Sequence, residues 1–259
     1  MIALLAGGSV WNAKNAKDKE KEDTSVVKSE YDKFMEKEHE SSVGLFTLHK
    51  FKDKLYMEVP VALMGRDFLL GSTVSKISDN TNAIVGSKPK EPLAFSLRLD
   101  ANKLLMETSS DSYVIKGSNR EKVRSSMIKP IYTTFEIKAY TNDSTAVVAD
   151  VTELFLSDNE RFSPFDPHSA NVSGGMTRSE IYNSDKSYIS GIKAFEDNVA
   201  VKSILSYTYT LTGGKKSVKD IPFTAEMTRS IVLLPENPAR PRLSDSRVSV
   251  FPTYKLLFE

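Results

Sequence analysis

Paired runs of alternating apolar and polar residues place the strongest constraint on the fold of this 259-residue chain. In the run 93–99, leucine or phenylalanine occupies every second position, and residues 100–102 then lead into a second apolar run that begins at Leu104. A period of two puts alternate side chains on opposite faces of a strand, so the pair is typical of an antiparallel hairpin with one apolar face. The pattern predicts strands rather than helices for most of the chain.

The same arrangement recurs along the sequence. Runs 46–48 and 55–59 flank the polar residues 52–54, and runs beginning at Phe135 and Val147 flank Asn142-Asp143. The longest alternating run, 199–211, ends at a Gly213-Gly214 hairpin turn, and a further strand is predicted over 223–234. These repeats predict a mainly β fold (α+β with minor helix) in which hairpins build an antiparallel sheet.

Helical periodicity is confined to two short segments. Val27, Tyr31 and Phe34 share one face of a predicted N-terminal docking helix over 26–39, which Thr24 and Ser25 cap. A single helical turn is predicted where Asp150 and Glu153 have the spacing of a capping box. The polar segment 157–184 that follows is predicted to be a long surface loop.

Composition excludes several classes of protein. With 35 basic and 34 acidic residues the net charge is +1, so the chain has no long-range electrostatic field that would attract nucleic acid or anionic lipid. The absence of cysteine excludes disulfides and thiolate chemistry within the chain. The apolar run 2–6 is far shorter than the roughly 20 residues that span a bilayer, so no transmembrane segment is predicted.

The N-terminus has the features of a processing or tether segment. The run 2–6 resembles the last part of a signal-peptide apolar region, which predicts export to the periplasm, the cell envelope or the medium; the alternative is a frayed N-terminus. Residues 14–23 carry four lysines and four acids with almost nothing to bury, so 1–25 is interpreted as a signal remnant and a solvated tether.

Motifs of known catalytic chemistry are absent from the sequence. His39-Glu40 lacks the second histidine of a zincin helix because position 43 is valine, and His49 and His168 have no second ligand at metal spacing, which predicts surface roles for both. No serine has the two glycines of a nucleophile elbow. We therefore assign no catalytic, metal-binding or cofactor-binding residue in this chain.

The C-terminal segment is the most distinctive stretch. Prolines at 235, 238 and 241 enforce an extended backbone. The residues predicted to make interactions there are Arg240, Arg242, Asp245 and Arg247. Since guanidinium forks suit carboxylates, the segment is interpreted either as a clamp between domains or as a solvated tail.

Five motifs together resemble a known family. They are Gly44-Leu45-Phe46-Thr47, Gly65-Arg66-Asp67-Phe68-Leu69-Leu70, Asp150-Val151-Thr152-Glu153-Leu154-Phe155, the run 188–198 and the run 234–248. In this order they resemble the N-terminal region of the large bacterial zinc-dependent, metzincin-like metalloproteases, in which two domains of unknown function precede the catalytic domain. The resemblance implies a short domain over 26–79, a β-rich domain over 80–235 and a Pro/Arg linker over 236–259.

The resemblance has one departure and carries no active site. Ser249 and Val250 stand where the family usually has Gly-Tyr before Phe251, and no His-Glu-x-x-His is present. It implies a non-catalytic accessory region whose partner is a metallopeptidase catalytic domain in cis, with zinc expected only in that domain. The alternatives are a stand-alone envelope module that binds peptide or glycan through a sheet face or the 157–184 loop, and an enzyme with an unrecognised active site.

Overall fold

A computed structural model describes residues 28–109, 113–115, 122, 125–165, 171–172, 176–214, 216–237 and 256–258. The predicted tether over 1–25, His168 and the four predicted interaction residues Arg240, Arg242, Asp245 and Arg247 lie outside the described residues.

Most of the described chain is β strand. The strands are β1 (Glu40–Ser42), β2 (Thr47–Lys50), β3 (Leu55–Pro60), β4 (Asp67–Ile77), β5 (Leu93–Asp100), β6 (Lys103–Thr108), β7 (Tyr113–Ile115), β8 (Ile131–Tyr140), β9 (Ala146–Asp150), β10 (Asn171–Val172), β11 (Met176–Tyr182), β12 (Tyr188–Ala194), β13 (Asn198–Gly213), β14 (Lys216–Leu233) and β15 (Leu256–Phe258). Two helices are described, α1 (Glu30–Met35) and α2 (Thr152–Phe155), together with the 3-10 turns Val61–Leu63, Glu160–Phe162 and Ser184–Lys186.

One antiparallel sheet contains thirteen of these strands. Its order is β1-β2-β3-β9-β8-β6-β5-β4-β14-β13-β11-β10, and β12 also pairs with β13; β15 pairs separately with β7, in parallel. The sheet curls until its ends meet, since the Leu45 amide donates to the Phe195 carbonyl at 2.6 Å and the Ala194 amide donates to Ser42 Oγ at 2.8 Å. The predicted mainly β fold is confirmed.

The hairpin predictions hold where the alternation was strict. Strands β2–β3, β5–β6, β8–β9 and β13–β14 pair as predicted. The segment 157–184 is not simply a loop, because it contains β11, which pairs with β13 over six residues.

The helix predictions need two corrections. The docking helix is shorter than predicted and is capped by Ser29, whose side chain accepts from the Asp32 amide, rather than by Thr24 or Ser25. The capping box at Asp150 and Glu153 does not form, since Asp150 instead accepts from the Thr152 amide at 3.1 Å.

The inside of the curled sheet holds two apolar clusters with a polar layer between them. Along β14, Phe223, Ala225 and Met227 belong to one cluster and Ile231 to the other. The buried residue between them is Arg229. On β4, buried Ser72 is the cross-strand partner of Arg229. On β13, buried Ser203 is opposite Met227 and lies between Val201 of one cluster and Leu205 of the other. We call Ser72, Ser203 and Arg229 the polar layer.

A third cluster covers the outer face of the sheet. Helix α1 packs there through Phe34, which is buried with Ala139 and Val148. The ring of Phe34 meets Phe51 and Tyr56 edge-on at 5.0 and 5.1 Å between centroids. The N-terminal helix therefore docks on the sheet, as its apolar face predicted.

Strands from the ranges 26–79 and 80–235 alternate within the sheet. β3 pairs with β9, and β4 lies between β5 and β14. The apolar cluster that includes Phe46, Phe68, Phe95 and Val147 draws on both ranges.

Candidate functional site

The point at which the chain leaves β14 is held by two neighbouring segments, the turn at Asp197 and the start of β4 at Arg66-Asp67. The Leu233 amide donates to the Asp197 carbonyl and the Leu234 amide donates to the Asp67 carbonyl, both at 2.9 Å. Arg66 donates from Nη2 to the Leu234 carbonyl at 3.3 Å. Its Nη1 lies 2.8 Å from Glu236 Oε1. We call Arg66, Asp67, Asp197, Leu234 and Glu236 the linker root, because the predicted Pro/Arg linker begins there.

Local backbone geometry places Arg66 at this point. Gly65 has a φ of +77°, which glycine adopts without steric cost, and its amide donates to the Leu97 carbonyl at 2.9 Å. The Arg66 amide donates to the Leu63 carbonyl, which closes the turn between β3 and β4. A partly exposed ion pair contributes at most about 1 kcal/mol to the free energy of unfolding. The main effect of Arg66 is therefore to fix the direction in which the chain leaves β14.

The loop between β1 and β2 meets the same corner of the sheet. Phe195 accepts from the Leu45 amide, and its own amide donates to the Asn198 carbonyl at 2.7 Å. Asp197, in the same turn, belongs to the linker root. Segments from four of the five motifs that carry the family resemblance thus converge here: 44–47, 65–70, 188–198 and the start of 234–248.

Gly44→Ala is expected to destabilise the fold by about 1 to 3 kcal/mol, the usual cost of overpacking. A Cβ at Gly44 would lie 2.4 Å from the Phe195 carbonyl oxygen and 2.6 Å from its amide nitrogen. Both are backbone atoms of the turn at 195–198, where the ends of the curled sheet meet, so they have little freedom to move. The measurement is the midpoint of urea unfolding followed by circular dichroism.

The control for Gly44→Ala is Gly191→Ala in β12. A Cβ at Gly191 would meet nothing within 4 Å, so this variant is expected to unfold close to the wild-type midpoint. Equal midpoints for the two variants would contradict the tight contact at the corner.

The polar layer holds a segment inside the sheet. Arg229 donates from Nη1 to the Phe155 carbonyl at 2.5 Å and from Nη2 to the Phe162 carbonyl at 3.3 Å. Burial lowers the pKa of Arg229 to about 10, so the guanidinium stays charged at neutral pH. Within the described part of the chain, Arg229 Nε, Ser72 Oγ and Ser203 Oγ have no hydrogen-bond partner.

A chain of hydrogen bonds lies beneath α1. Ser41 Oγ is 2.9 Å from His49 Nδ1, and His49 Nε2 is 3.3 Å from Glu58 Oε2. Tyr31 donates its hydroxyl to the same Glu58 oxygen at 3.0 Å. We call these four residues the Ser41 relay. The predicted surface role of His49 is wrong, because its side chain is 2% exposed.

The cause of the error at His49 is the docked helix. His49 alternates with the inward-facing Leu48, so it lies on the outer face of the sheet, which Phe34 of α1 covers at 5.5 Å between ring centroids. Two short hairpins put Ser41, His49 and Glu58 on consecutive strands of that face. The pair of tight turns, rather than any active-site motif, is the sequence signal for this grouping.

Burial and hydrogen bonding set the charge state of the relay. The hydrogen bond from His49 is the largest influence on Glu58 and holds the pKa of its carboxyl below the ordinary value. Burial, with the bond to Glu58, raises the pKa of Tyr31 to about 12. At neutral pH, Glu58 is therefore an ionised acceptor and Tyr31 a neutral donor.

A polar cleft opens where the segment after α2 crosses β8. Its volume is about 450 Å³, and its lining residues are Lys90, Glu91, Tyr132, Asn159, Glu160 and Arg161. Asn159 donates its side-chain amide to the Tyr132 hydroxyl at 2.8 Å. Tyr132 also meets the buried Phe162 edge-on, at 6.3 Å between ring centroids. The cleft thus presents an aromatic ring beside amide and charged groups.

Two negative findings apply to the described ranges. No group of three or more histidine, aspartate or glutamate side chains there has the arrangement of a metal site. None of the helices described is long and apolar enough to cross a membrane.

Comparison with known families identifies the chain only at the level of its domains. Residues 28–77 match the model of a domain of unknown function, DUF5118, and residues 89–259 match that of another, DUF5117. Since the second match covers about two thirds of the sequence, the chain belongs to the DUF5117 family. No curated protein and no solved structure matches the chain.

Proposed function

We propose that this chain is a non-catalytic accessory region of a bacterial zinc-dependent metallopeptidase, and that it orients a catalytic domain that follows in the full-length protein. The observation that carries the proposal is the linker root. Four of the five motifs on which the metalloprotease resemblance rests meet at the point where the predicted Pro/Arg linker starts, and Arg66 contacts both Leu234 and Glu236.

A rigid start of the linker is what such a role requires. Backbone hydrogen bonds hold Leu233 to the turn at Asp197 and Leu234 to the start of β4 at Asp67, and the Arg66 side chain contacts Leu234 and Glu236, so the direction in which the chain leaves the sheet is fixed. A partner domain attached there would take a defined position against the curled sheet. In this proposal the sheet forms a wall of the substrate cleft, the zinc belongs to the partner domain, and the protein acts in the periplasm or outside the cell.

The first test is the mass of the native protein. An antibody raised against this chain is used to blot envelope and medium fractions of the source cells. The proposal expects a band several times 28.8 kDa that retains zinc after purification. A native band near 28.8 kDa would contradict it and favour a module that acts alone.

The second test changes the linker root in the full-length protein. Arg66→Gln removes the ion pair to Glu236 and is expected to lower the rate of peptide cleavage by up to about 100-fold, as small misplacements of a catalytic site can do. The midpoint of urea unfolding should change little, because the ion pair is partly exposed. Exposed Lys193 on β12 provides the control, Lys193→Gln. Unchanged cleavage by the Arg66→Gln protein would contradict the proposed role of the linker root.

The polar cleft favours a second candidate function, the binding of a peptide or glycan. Tyr132 offers a ring and Asn159 an amide, a combination that can contact a sugar or a peptide backbone. Titration calorimetry with unfolded peptides and with envelope polysaccharides distinguishes the two candidates. Saturable binding by this chain alone, abolished by Tyr132→Ala, would favour the binding module.

A further inference from the structure

The Ser41 relay has the connectivity of a nucleophilic serine with its base and orienting carboxylate. Ser41 is exposed, His49 is buried and Glu58 is mostly buried. The serine can therefore be reached from solvent, whereas its two partners are shielded from it. Such sites are recognised by geometry and role rather than by sequence position. Here Ser41 contacts Nδ1 and Glu58 contacts Nε2, the reverse of the usual use of the two ring nitrogens.

The position of each proton in the relay follows from its partners. Ionised Glu58 only accepts hydrogen bonds, so the Tyr31 hydroxyl and His49 Nε2 both donate to it. A neutral His49 with its proton on Nε2 has a lone pair on Nδ1. The Ser41 hydroxyl must then donate to Nδ1, and this is the state in which a histidine can take the proton of a serine.

The surroundings of His49 hold the ring in this orientation. Phe34 meets it edge-on at 5.5 Å, and His39 lies 5.2 Å away, itself stacked on Phe51 at 4.7 Å. The imidazole is therefore fixed between two rings, with its two nitrogens directed at Ser41 and Glu58. A base that is already oriented requires little reorganisation when the proton moves.

We propose that Ser41 is a reactive nucleophile that accepts the acyl group of small carboxylic esters. The Ser41 oxygen bonds to the ester carbonyl carbon while its proton passes to His49 Nδ1, and the alcohol leaves with that proton. Water then attacks the acyl-serine, which releases the carboxylic acid and restores the serine. Because Ser41 is exposed on a strand and not at the bottom of a cleft, the expected substrates are small, activated esters. This activity is separate from peptide cleavage, to which the accessory region proposed above contributes no catalytic residue.

The test is covalent labelling of the folded chain with a fluorophosphonate probe. The serine oxygen bonds to phosphorus and fluoride leaves, so one adduct is expected by intact mass, and peptide mapping should place it on Ser41. Ser41→Ala is expected to abolish the adduct, whereas Ser190→Ala, at an exposed position on β12, should label as the wild type does. Absence of a wild-type adduct, or an undiminished adduct in Ser41→Ala, would overturn the proposal.

Two further variants separate activation from simple exposure of Ser41. His49→Gln is expected to slow labelling by about 100-fold, the lower end of the usual contribution of a general base. Glu58→Gln keeps the shape of the side chain but removes the charge, and a smaller loss is expected. Circular dichroism checks that both variants fold, and if both are folded and label at the wild-type rate, Ser41 is not activated and the proposal fails.

Discussion

Arg229→Ala is expected to lower the free energy of unfolding by about 3 to 5 kcal/mol, the range of large-to-small changes in a core. The substitution removes a fully buried side chain and leaves the Phe155 and Phe162 carbonyls without their donor. Relief from burying a charge offsets part of this loss, since burial already lowers the Arg229 pKa to about 10. The measurement is urea unfolding followed by near-ultraviolet and far-ultraviolet circular dichroism.

One further variant separates the contributions of the Arg229 stem and its charge to stability, and a second provides an exposed control. Arg229→Met keeps most of the packed stem and loses the charge and the donors, so a smaller loss is expected. Lys193→Ala removes an exposed cation from β12 and should change stability by less than about 0.5 kcal/mol. If Arg229→Ala were as stable as Lys193→Ala, the polar layer would not hold the segment 155–162, and water or local rearrangement would satisfy its carbonyls.

Strict alternation in the sequence was enough to predict the local hairpins. The runs before and after residues 100–102 form β5 and β6, because the alternation within residues 93–108 alone determines which side chains face the core. The same signal fails for β11, where Thr177, Arg178 and Ser179 show no apolar period. That strand depends on its pairing with β13 and on burial of Arg178 over the Phe165 ring at 4.4 Å, neither of which is local information.

The candidate sites depend on contacts between distant parts of the chain. Arg66 and Glu236 are 170 residues apart, and the charges of a chain with 35 basic and 34 acidic residues do not indicate which of them pair. His49 is buried beneath Phe34 of α1 and beside His39, two contacts that its position in an alternating run does not indicate. The motifs of the metalloprotease resemblance lie far apart in the sequence, and their order does not indicate that four of them meet in space. The predicted clamp over Arg240, Arg242, Asp245 and Arg247 stays a prediction.

Residues 1–78 and 79–259 are expected not to fold when they are produced as separate chains. Removal of the first fragment takes β3 away from β9, and it takes β4 from its place between β5 and β14. The remaining sheet would have new unpaired edges, and the larger apolar cluster would lose eight of its 25 buried residues. The expected result is the absence of a cooperative unfolding transition for either fragment, measured by urea titration, together with aggregation of the larger one.

Mixing the two fragments provides the matched control, since it restores every strand pair and cuts only the connection between β4 and β5. The mixture is expected to recover the near-ultraviolet spectrum of the intact chain, with a transition midpoint that rises with concentration because association is now bimolecular. A shared core would be contradicted if 79–259 alone unfolded cooperatively and the urea dependence of its unfolding free energy matched the surface that its whole length would expose. Success of the mixture and failure of the parts would mean that the DUF5118 and DUF5117 matches describe two sequence regions of one folding unit.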